Sequence, residues 1–456
     1  MDPSIFKAYD IRGIYPDQLD EEAAWKIGYA SAQFLSSLLS GYARGQANCH
    51  CICVGYDMRT HSKSLADALA EGMNSIGTNV IDIGMIDTPQ MYFAINHLST
   101  CGGIQVTASH NPAKYNGFKI SGQQARPVGV NTGLKDIEHI ALALLHTKGK
   151  PKGSVEKYDI TPYYREHVLK FLRPNIRKMK IAIDASNGMA GKMVPLIFGD
   201  LPIEIFPLNF EHTGIFKHEP NPLIEENLND VKAAVKKHTC DFGICFDGDA
   251  DRLMVVDEQA NNVPCDILTA LLTPYFLQTS RGATIVYDLR SSMVVAEEII
   301  KFGGTPRRER VGHAFIKKAM RDTHAVFGGE LSGHFYYRDN FYADSAFITF
   351  VHLINIVSLA ETPLSRLIEP LKRYFSSGEI NFKVDDKQKK MDELEKKYSA
   401  GQTDHLDGVT IRFKDWWCNC RPSNTEPLLR LNIETKSREI LDQKLDEITK
   451  ILGQPV

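Results

Sequence analysis

The sequence predicts an α/β fold of three similar α/β/α modules followed by a smaller α+β C-terminal domain. A β-branched run that ends in Asp and a small polar turn occurs three times, as ICVGYDMRTHS (52–62), IAIDASNGMAG (181–191) and TIVYDLRSSMV (284–294). Each copy leads into a stretch with helical periodicity. The marker aspartates, Asp57, Asp184 and Asp288, lie 127 and 104 positions apart, a domain length rather than a solenoid period. From about Ser377 the pattern changes to strand-like runs around one charged helix.

In the first module, ICVGYD is followed by SKSLADALAEGMNSIG, whose apolar residues recur at helical spacing and stop at Gly77, and then by the strand NVIDIG. The middle module has the same order in MVPLIFGD and PIEIFPLN, and the third runs through VVAEEIIKFGG before returning to extended sequence. Strand, helix, strand repeated three times argues for α/β units. The last stretch reads EINFKVDD, the helix DKQKKMDELEKKY, a polar turn GQTDHLDG, the strands of GVTIRFKDWWCNCRPSNTEPLLRLNIET and a terminal helix REILDQKLDEITKIL. Within it KQKKMDELEKK reads as a solvated helix face, and Trp416 and Trp417 as strand or core residues. The boundaries fall at 1–153, 154–258, 259–373 and 374–456.

Composition narrows the function. Lys plus Arg number 53 and Asp plus Glu 56, a net charge of −3. The chain lacks the broad basic field that nucleic acid or an anionic membrane requires, so a bound anion must be held by local groups. The start, MDPSIFKAYDIRG, carries no basic region followed by an apolar core, and the best apolar run, FITFVHLINIVSLA from Phe347, is short and holds His352 and Asn355. A soluble cytoplasmic protein is expected, without nucleic-acid or membrane partners. Cys49, Cys51 and Cys53 alternate as a strand alternates, which reads as reduced, buried thiols rather than a zinc site.

Four stretches carry chemistry. In VTASHNPAKYNGFKI (106–120), Ser109 stands between a strand-like run and a polar loop, with His110 and Asn111 beside it. In DFGICFDGDADRLMVVDE (241–258), Asp247, Asp249 and Asp251 alternate on a short loop between strands, so their carboxylates converge on one hard cation. Arg252 at the sixth loop position and the strand flanks argue against an EF-hand, although Glu258 falls at the twelfth; Arg252 instead adds a positive group suited to phosphate. GGELSGH (328–334) joins glycines to Glu330, Ser332 and His334, groups able to read vicinal sugar hydroxyls. RPSNTEP (421–427) offers Arg421, Ser423, Asn424 and Thr425, one forked cation with short donors, which fits a phosphate. No Walker A sequence, dinucleotide fingerprint or nucleophile elbow accompanies them. A serine used with a divalent metal and a separate phosphate cradle is a candidate to carry a phosphoryl group.

TASHNP (107–112), DGDADR (247–252), GELSGH (329–334) and RPSNTEP (421–427), in this order and with AYDIRG at 8–13, resemble the α-D-phosphohexomutases over nearly the whole chain. The resemblance implies four domains around a central cleft, which carry in turn the phosphoserine loop, the metal loop, the sugar-recognition loop and the phosphate-binding loop. It implies that Ser109 is phosphorylated in the resting enzyme and that Mg²⁺ sits between that phosphate and Asp247, Asp249 and Asp251. Glu330 and Ser332 then contact sugar hydroxyls, and Arg421, Ser423, Asn424 and Thr425 hold the non-reacting phosphate. Tyr9, Arg12, Lys119, Arg252, Gly312 and His313 match positions that line the family's cleft. Arg290, in YDLRSS, stands where some members have Lys and keeps the positive charge. GELSGH and Asn424 point to the phosphomannomutase/phosphoglucomutase type rather than to glucosamine enzymes.

The expected reaction interconverts mannose 6-phosphate and mannose 1-phosphate, and also glucose phosphates, with hexose 1,6-bisphosphate as activator and intermediate. Lys119 and His334 are the candidate bases, while His110 orients the Ser109 loop. The resemblance also implies supply of mannose 1-phosphate for GDP-mannose and surface polysaccharide. Sugar phosphates are the expected partners, with a monomer or homodimer as the assembly. The rival readings are a phosphoglucosamine mutase or phosphoglucomutase, a metal-dependent sugar phosphatase and a non-catalytic sugar-phosphate-binding protein.

Overall fold

The structure is a computed structural model that describes residues 1–38, 48, 50–145, 152–423 and 428–456. Asn424, Thr425 and Cys49 lie outside the described residues. The chain forms two compact units, Met1–Val263 with Ser332–Ser365, and Pro264–Leu331 with Arg366–Val456.

Among the described residues, the first unit holds two sheets and the antiparallel pair Phe335–Tyr337 with Ala343–Asp344. In one, the strands run in the order Ile11–Ile14, Tyr115–Gly122, Gly102–Val106, Cys51–Tyr56, Asn79–Met85 and Val155–Lys157. Its centre is parallel, as the β-branched runs joined by helices require, and Tyr115–Gly122 enters antiparallel. Cys51 and Cys53 sit on the parallel strand as free thiols, Cys53 buried. Gly102–Val106 is buried along its whole length, so the chain that leaves its C-terminal end starts from a fixed point. In the other sheet, Phe242–Phe246 lies between Met179–Asp184, its parallel neighbour, and Leu253–Asp257, its antiparallel one. Phe246 pairs with Leu253, which makes residues 247–252 the turn of a hairpin.

The apolar run at Phe347 forms the helix Ala346–Leu359, buried in this unit, where Phe347 and Phe350 pack on Phe198 and Phe246. No single helix among the described residues is long and apolar enough to cross a membrane.

In the second unit, Thr305–Glu309, Thr284–Asp288 and Phe327–Gly329 pair in parallel. An antiparallel sheet follows, in the order Phe375–Lys383, Leu428–Thr435, Trp416–Pro422, Val409–Arg412 and Gln402–Asp404. Trp416 and Trp417 are buried strand residues, as the sequence predicts. The helix Lys387–Lys397 turns Met391 and Leu394 inward and leaves its charges to solvent, again as predicted.

Candidate active site

The three marker aspartates share one local device, an Asp side chain that accepts the backbone N–H two residues on: Asp57 from Arg59 at 3.1 Å, Asp184 from Ser186 at 2.8 Å and Asp288 from Arg290 at 2.7 Å. Such a turn fixes the exit of a strand without further structure. Each copy then reaches the end of its neighbouring strand or the loop that follows it. Asp57 accepts Thr107 Oγ1 at 2.7 Å, Ser186 Oγ donates to Phe246 O at 2.6 Å, and Asp288 accepts Leu331 N at 2.9 Å.

Ser109 occupies the left-handed region, with φ 50°, and is fully buried. That backbone costs a non-glycine residue of order 1 kcal/mol or more, so it persists where surrounding contacts over-determine it. Here they do. Ser109 N donates to Thr107 Oγ1 at 2.9 Å. The Arg59 guanidinium, 1% exposed, donates to the carbonyls of Ser109 (2.9 Å), Asn111 (2.7 Å), Pro112 (2.8 Å) and Tyr115 (3.1 Å), and its Nε to Asp57. Arg12, tied to Asp10 at 2.8 Å, donates to Ala108 O and to the Asn111 side chain, and Tyr9 lies half-buried two residues before Ile11. The Ser109 hydroxyl ends 3.2 Å from Asp247 Oδ2 and 3.2 Å from His110 Nδ1. Burial, then the charges of Arg252 and Arg12, hold the His110 imidazole well below its usual range, so it is neutral.

Asp247, Asp249 and Asp251 are buried on the hairpin turn, and one carboxylate oxygen from each lies within 4.8 Å of the others. The turn packs so closely on the serine loop that a Cβ at Gly248 would stand 2.4 Å from Ser109 O, which requires glycine there. Thr88 holds the turn from a third side: its hydroxyl donates to Asp249 Oδ2 at 2.6 Å and its N–H to Asp249 O at 3.1 Å. Burial, then Asp251 and Asp249, raise the Asp247 carboxyl well above the usual range. Burial acts on Asp251 in the same direction, but Lys119, His334 and Arg252 outweigh it and hold it well below.

Lys119 Nζ donates at 2.6 Å to both Asp249 and Asp251. Burial opposes that charge, and the two carboxylates overcome it and raise the ammonium's pKa. Asp249 Oδ1 remains buried with no hydrogen-bond partner among the described residues. Three converging buried carboxylates with such an oxygen fit a hard divalent cation.

Arg252 Nε donates to His334 Nε2 at 3.2 Å, and His334 Nδ1 lies 2.9 Å from the Ser332 hydroxyl. His334 Nε2 also stands 3.4 Å from Asp251 and 3.9 Å from the buried Asp344. The first unit thus gathers Ser109, His110, Lys119, the three aspartates, Arg252, Ser332 and His334.

Glu330, one residue before the break between units, belongs to the second and is 2% exposed. There, Arg290 is bidentate on Asp288 and also reaches Glu379 at 3.3 Å. Gly312, φ 130°, begins the helix His313–Thr323. Arg421 is 2% exposed and donates to Glu379 at 2.8 Å; Ser423 N donates to Leu428 O, closing the strand end. Arg59, Thr88, Asp344 and Glu379 are absent from the sequence-based candidates. For Arg59 a signal existed, since D-x-R occurs at both Asp57 and Asp288.

Four domain families match consecutive stretches: "Phosphoglucomutase/phosphomannomutase, alpha/beta/alpha domain I" at 3–145, domain II at 162–260, domain III at 264–374 and the "C-terminal domain" at 379–451. A Vibrio cholerae protein described as "Phosphomannomutase" is 39% identical over 459 residues, 98% of each chain. One from Xanthomonas campestris, described as "Phosphohexose mutases", is 38% identical over 453 residues, again 98% of each. The crystal structure of a "Phosphoglucomutase/phosphomannomutase family protein" from Burkholderia thailandensis superposes with a TM-score of 0.88 at 31% identity, covering 99% of this chain and 97% of that one. The chain therefore belongs to the phosphoglucomutase/phosphomannomutase family and is a mutase, an isomerase.

Proposed function

We propose that the enzyme interconverts mannose 6-phosphate and mannose 1-phosphate, and glucose phosphates with them, through phospho-Ser109 and a hexose 1,6-bisphosphate. The observation that carries this reading is the Ser109 hydroxyl 3.2 Å from Asp247, within a set of three buried carboxylates. Relatives described as phosphomannomutases support the mannose preference. Mg²⁺ held by Asp247, Asp249, Asp251 and the Ser109 oxygens would supply positive charge to the transferring phosphoryl group.

The other steps belong to the chain's own side chains. Arg59 and Thr107 hold Ser109 in one conformation, and the buried loop keeps bulk water from phosphoserine. Arg252 and Lys119 bring fixed positive charge to the phosphoryl oxygens. Of the two candidate bases, Lys119 is held as an ammonium by its carboxylates, which leaves His334 as the proton acceptor. Arg421 and Ser423, with Asn424 and Thr425, hold the phosphate that does not react. Because the bisphosphate must return its other phosphate to Ser109, this cradle accepts either end of the sugar.

Intact mass with site mapping tests the reading. A labile phosphate on Ser109 that mannose 6-phosphate discharges is the expected result. Ser109→Ala should lose about a thousandfold or more in isomerase activity; a variant that keeps full activity overturns the mechanism. Rates on mannose, glucose and glucosamine phosphates set the sugar preference, and free phosphate released faster than isomer forms would identify a phosphatase instead.

A further inference from the structure

In the C-terminal sheet, Arg421 and Arg430 stand directly opposite each other on antiparallel strands, both pointing charge at one place. Like charges so paired destabilise a sheet, and this pair has a remedy on the next strand. The strand Phe375–Lys383 shifts register between Ser376 and Glu379, with Gly378 at φ 66°. A bulge of this kind re-aims the side chain that follows it. It brings Glu379 onto the arginines: Oε1 accepts from Arg430 Nη1 at 3.1 Å, and Oε2 accepts from Arg421 Nη2 at 2.8 Å and from Arg290 Nη1 at 3.3 Å.

One carboxylate therefore gathers three guanidiniums, one of which, Arg290, comes from the stretch matched by domain III. Asp288 pairs with Arg290 as well, and Asp407 acts on Arg421 and Arg290 without a salt bridge to either. Arg421 spends one Nη on Glu379, and its Nε is buried with no hydrogen-bond partner among the described residues. An edge of Arg421 is thus left for an anion and held at a fixed angle.

We infer that Glu379 is a positioning residue for sugar-phosphate binding, which offsets the repulsion between Arg421 and Arg430, links them to Arg290, and presents the remaining edge of Arg421 to the phosphate. The inference rests on the proposed role of Arg421 as a phosphate ligand. Burial would raise the Glu379 carboxyl, but Arg290, Arg421 and Arg430 outweigh it and keep the group ionised, in accord with this role.

The test is the split between KM and kcat in the full-length enzyme. Glu379→Gln should raise KM about tenfold for both the 6-phosphate and the 1-phosphate, with kcat changed by no more than about twofold. The inhibition constant of inorganic phosphate should rise by the same factor. Adding Arg430→Gln to Glu379→Gln removes the opposed charge and should return KM to within about threefold of the parent, a rescue that a merely structural role would not give. An unchanged or lower KM in Glu379→Gln, or no rescue in the double variant, overturns the inference. If Glu379→Gln fails to melt cooperatively, Glu379→Asp keeps the charge and should show an intermediate KM; a parental KM there overturns the inference equally. Arg421→Ala separates the two ideas. A parental KM in Arg421→Ala defeats the cradle reading itself, whereas a raised KM there beside a parental one in Glu379→Gln defeats only the role of Glu379.

Discussion

Thr88 makes two hydrogen bonds to Asp249 on the 247–252 turn, and its position explains why they matter. Asp87 caps the helix Thr88–His97 by accepting Gln90 N at 2.8 Å, so Thr88 is the first helical residue and its N–H has no partner inside the helix. That N–H goes to Asp249 O, and the hydroxyl fixes which way the Asp249 carboxylate points. Thr88→Val keeps the shape and removes the hydroxyl. Affinity for Mg²⁺, read by calorimetric titration of the resting protein, should fall roughly tenfold or more, while Thr88→Ser should stay close to the parent. Parental affinity in the valine variant would show that the aspartates orient themselves. Arg59 acts on the serine loop in a comparable way, through four backbone carbonyls. Neither role was legible in the sequence. A D-x-R turn and a T-P helix start are common local signals, and only the long-range pairing of strands places them against Ser109 and Asp249.

Between helices, the packing of Thr88–His97 on Thr161–Leu169 depends on a histidine that must stay neutral. His167 packs 4.7 Å from the Phe93 ring and stacks on Phe341 at 5.7 Å. Its Nε2 faces Asn340 Oδ1 at 2.8 Å and its Nδ1 faces Lys170 Nζ at 3.1 Å, which fixes a neutral ring protonated at Nε2. Burial first, then the Lys170 charge, push its pKa down to about 4, and burial with Arg173 pushes that of His352, in the core nearby, down to about 3. Below the unfolded value of about 6.5 the unfolded chain takes up these protons and the fold does not, so stability is full above that pH and is lost as pH falls. His167 alone accounts for about 2 to 3 kcal/mol by pH 4.5. In denaturant titrations from pH 7 to 4.5, His167→Gln should lose stability with a slope shallower by about one proton than the parent; identical slopes would mean that the ring is solvated. The strands, helices and turn chemistry of these elements were legible because hydrophobic period and caps are local. The bulge at Ser377–Gly378 was not, since it exists only in the pairing of Phe375–Lys383 with Leu428–Thr435.

At the scale of the molecule, the division into two units cuts through GELSGH, between Leu331 and Ser332. Nothing in that contiguous motif marks the break. The helix Ala346–Leu359 joins the first unit because its phenylalanines fit against Phe198 and Phe246, and such a fit has no local signature in sequence. The division also separates the chemistry. The first unit carries Ser109, Asp247, Asp249 and Asp251, and the second carries Arg290, Glu379 and Arg421. A ligand stabilises the fold that forms its site, by about 2.7 kcal/mol at a hundredfold excess over Kd. Scanning calorimetry of the whole chain should therefore resolve two transitions. Mg²⁺ should raise the one belonging to the first unit by about 5 °C, and chelation should return it, while inorganic phosphate should raise the other through Arg421. The Asp247→Asn variant should lose the Mg²⁺ shift and keep the phosphate shift, and Arg421→Ala should do the reverse. A single transition that both ligands move together, or a Mg²⁺ shift that survives Asp247→Asn, would show that the two sets of residues do not act through separately folding units.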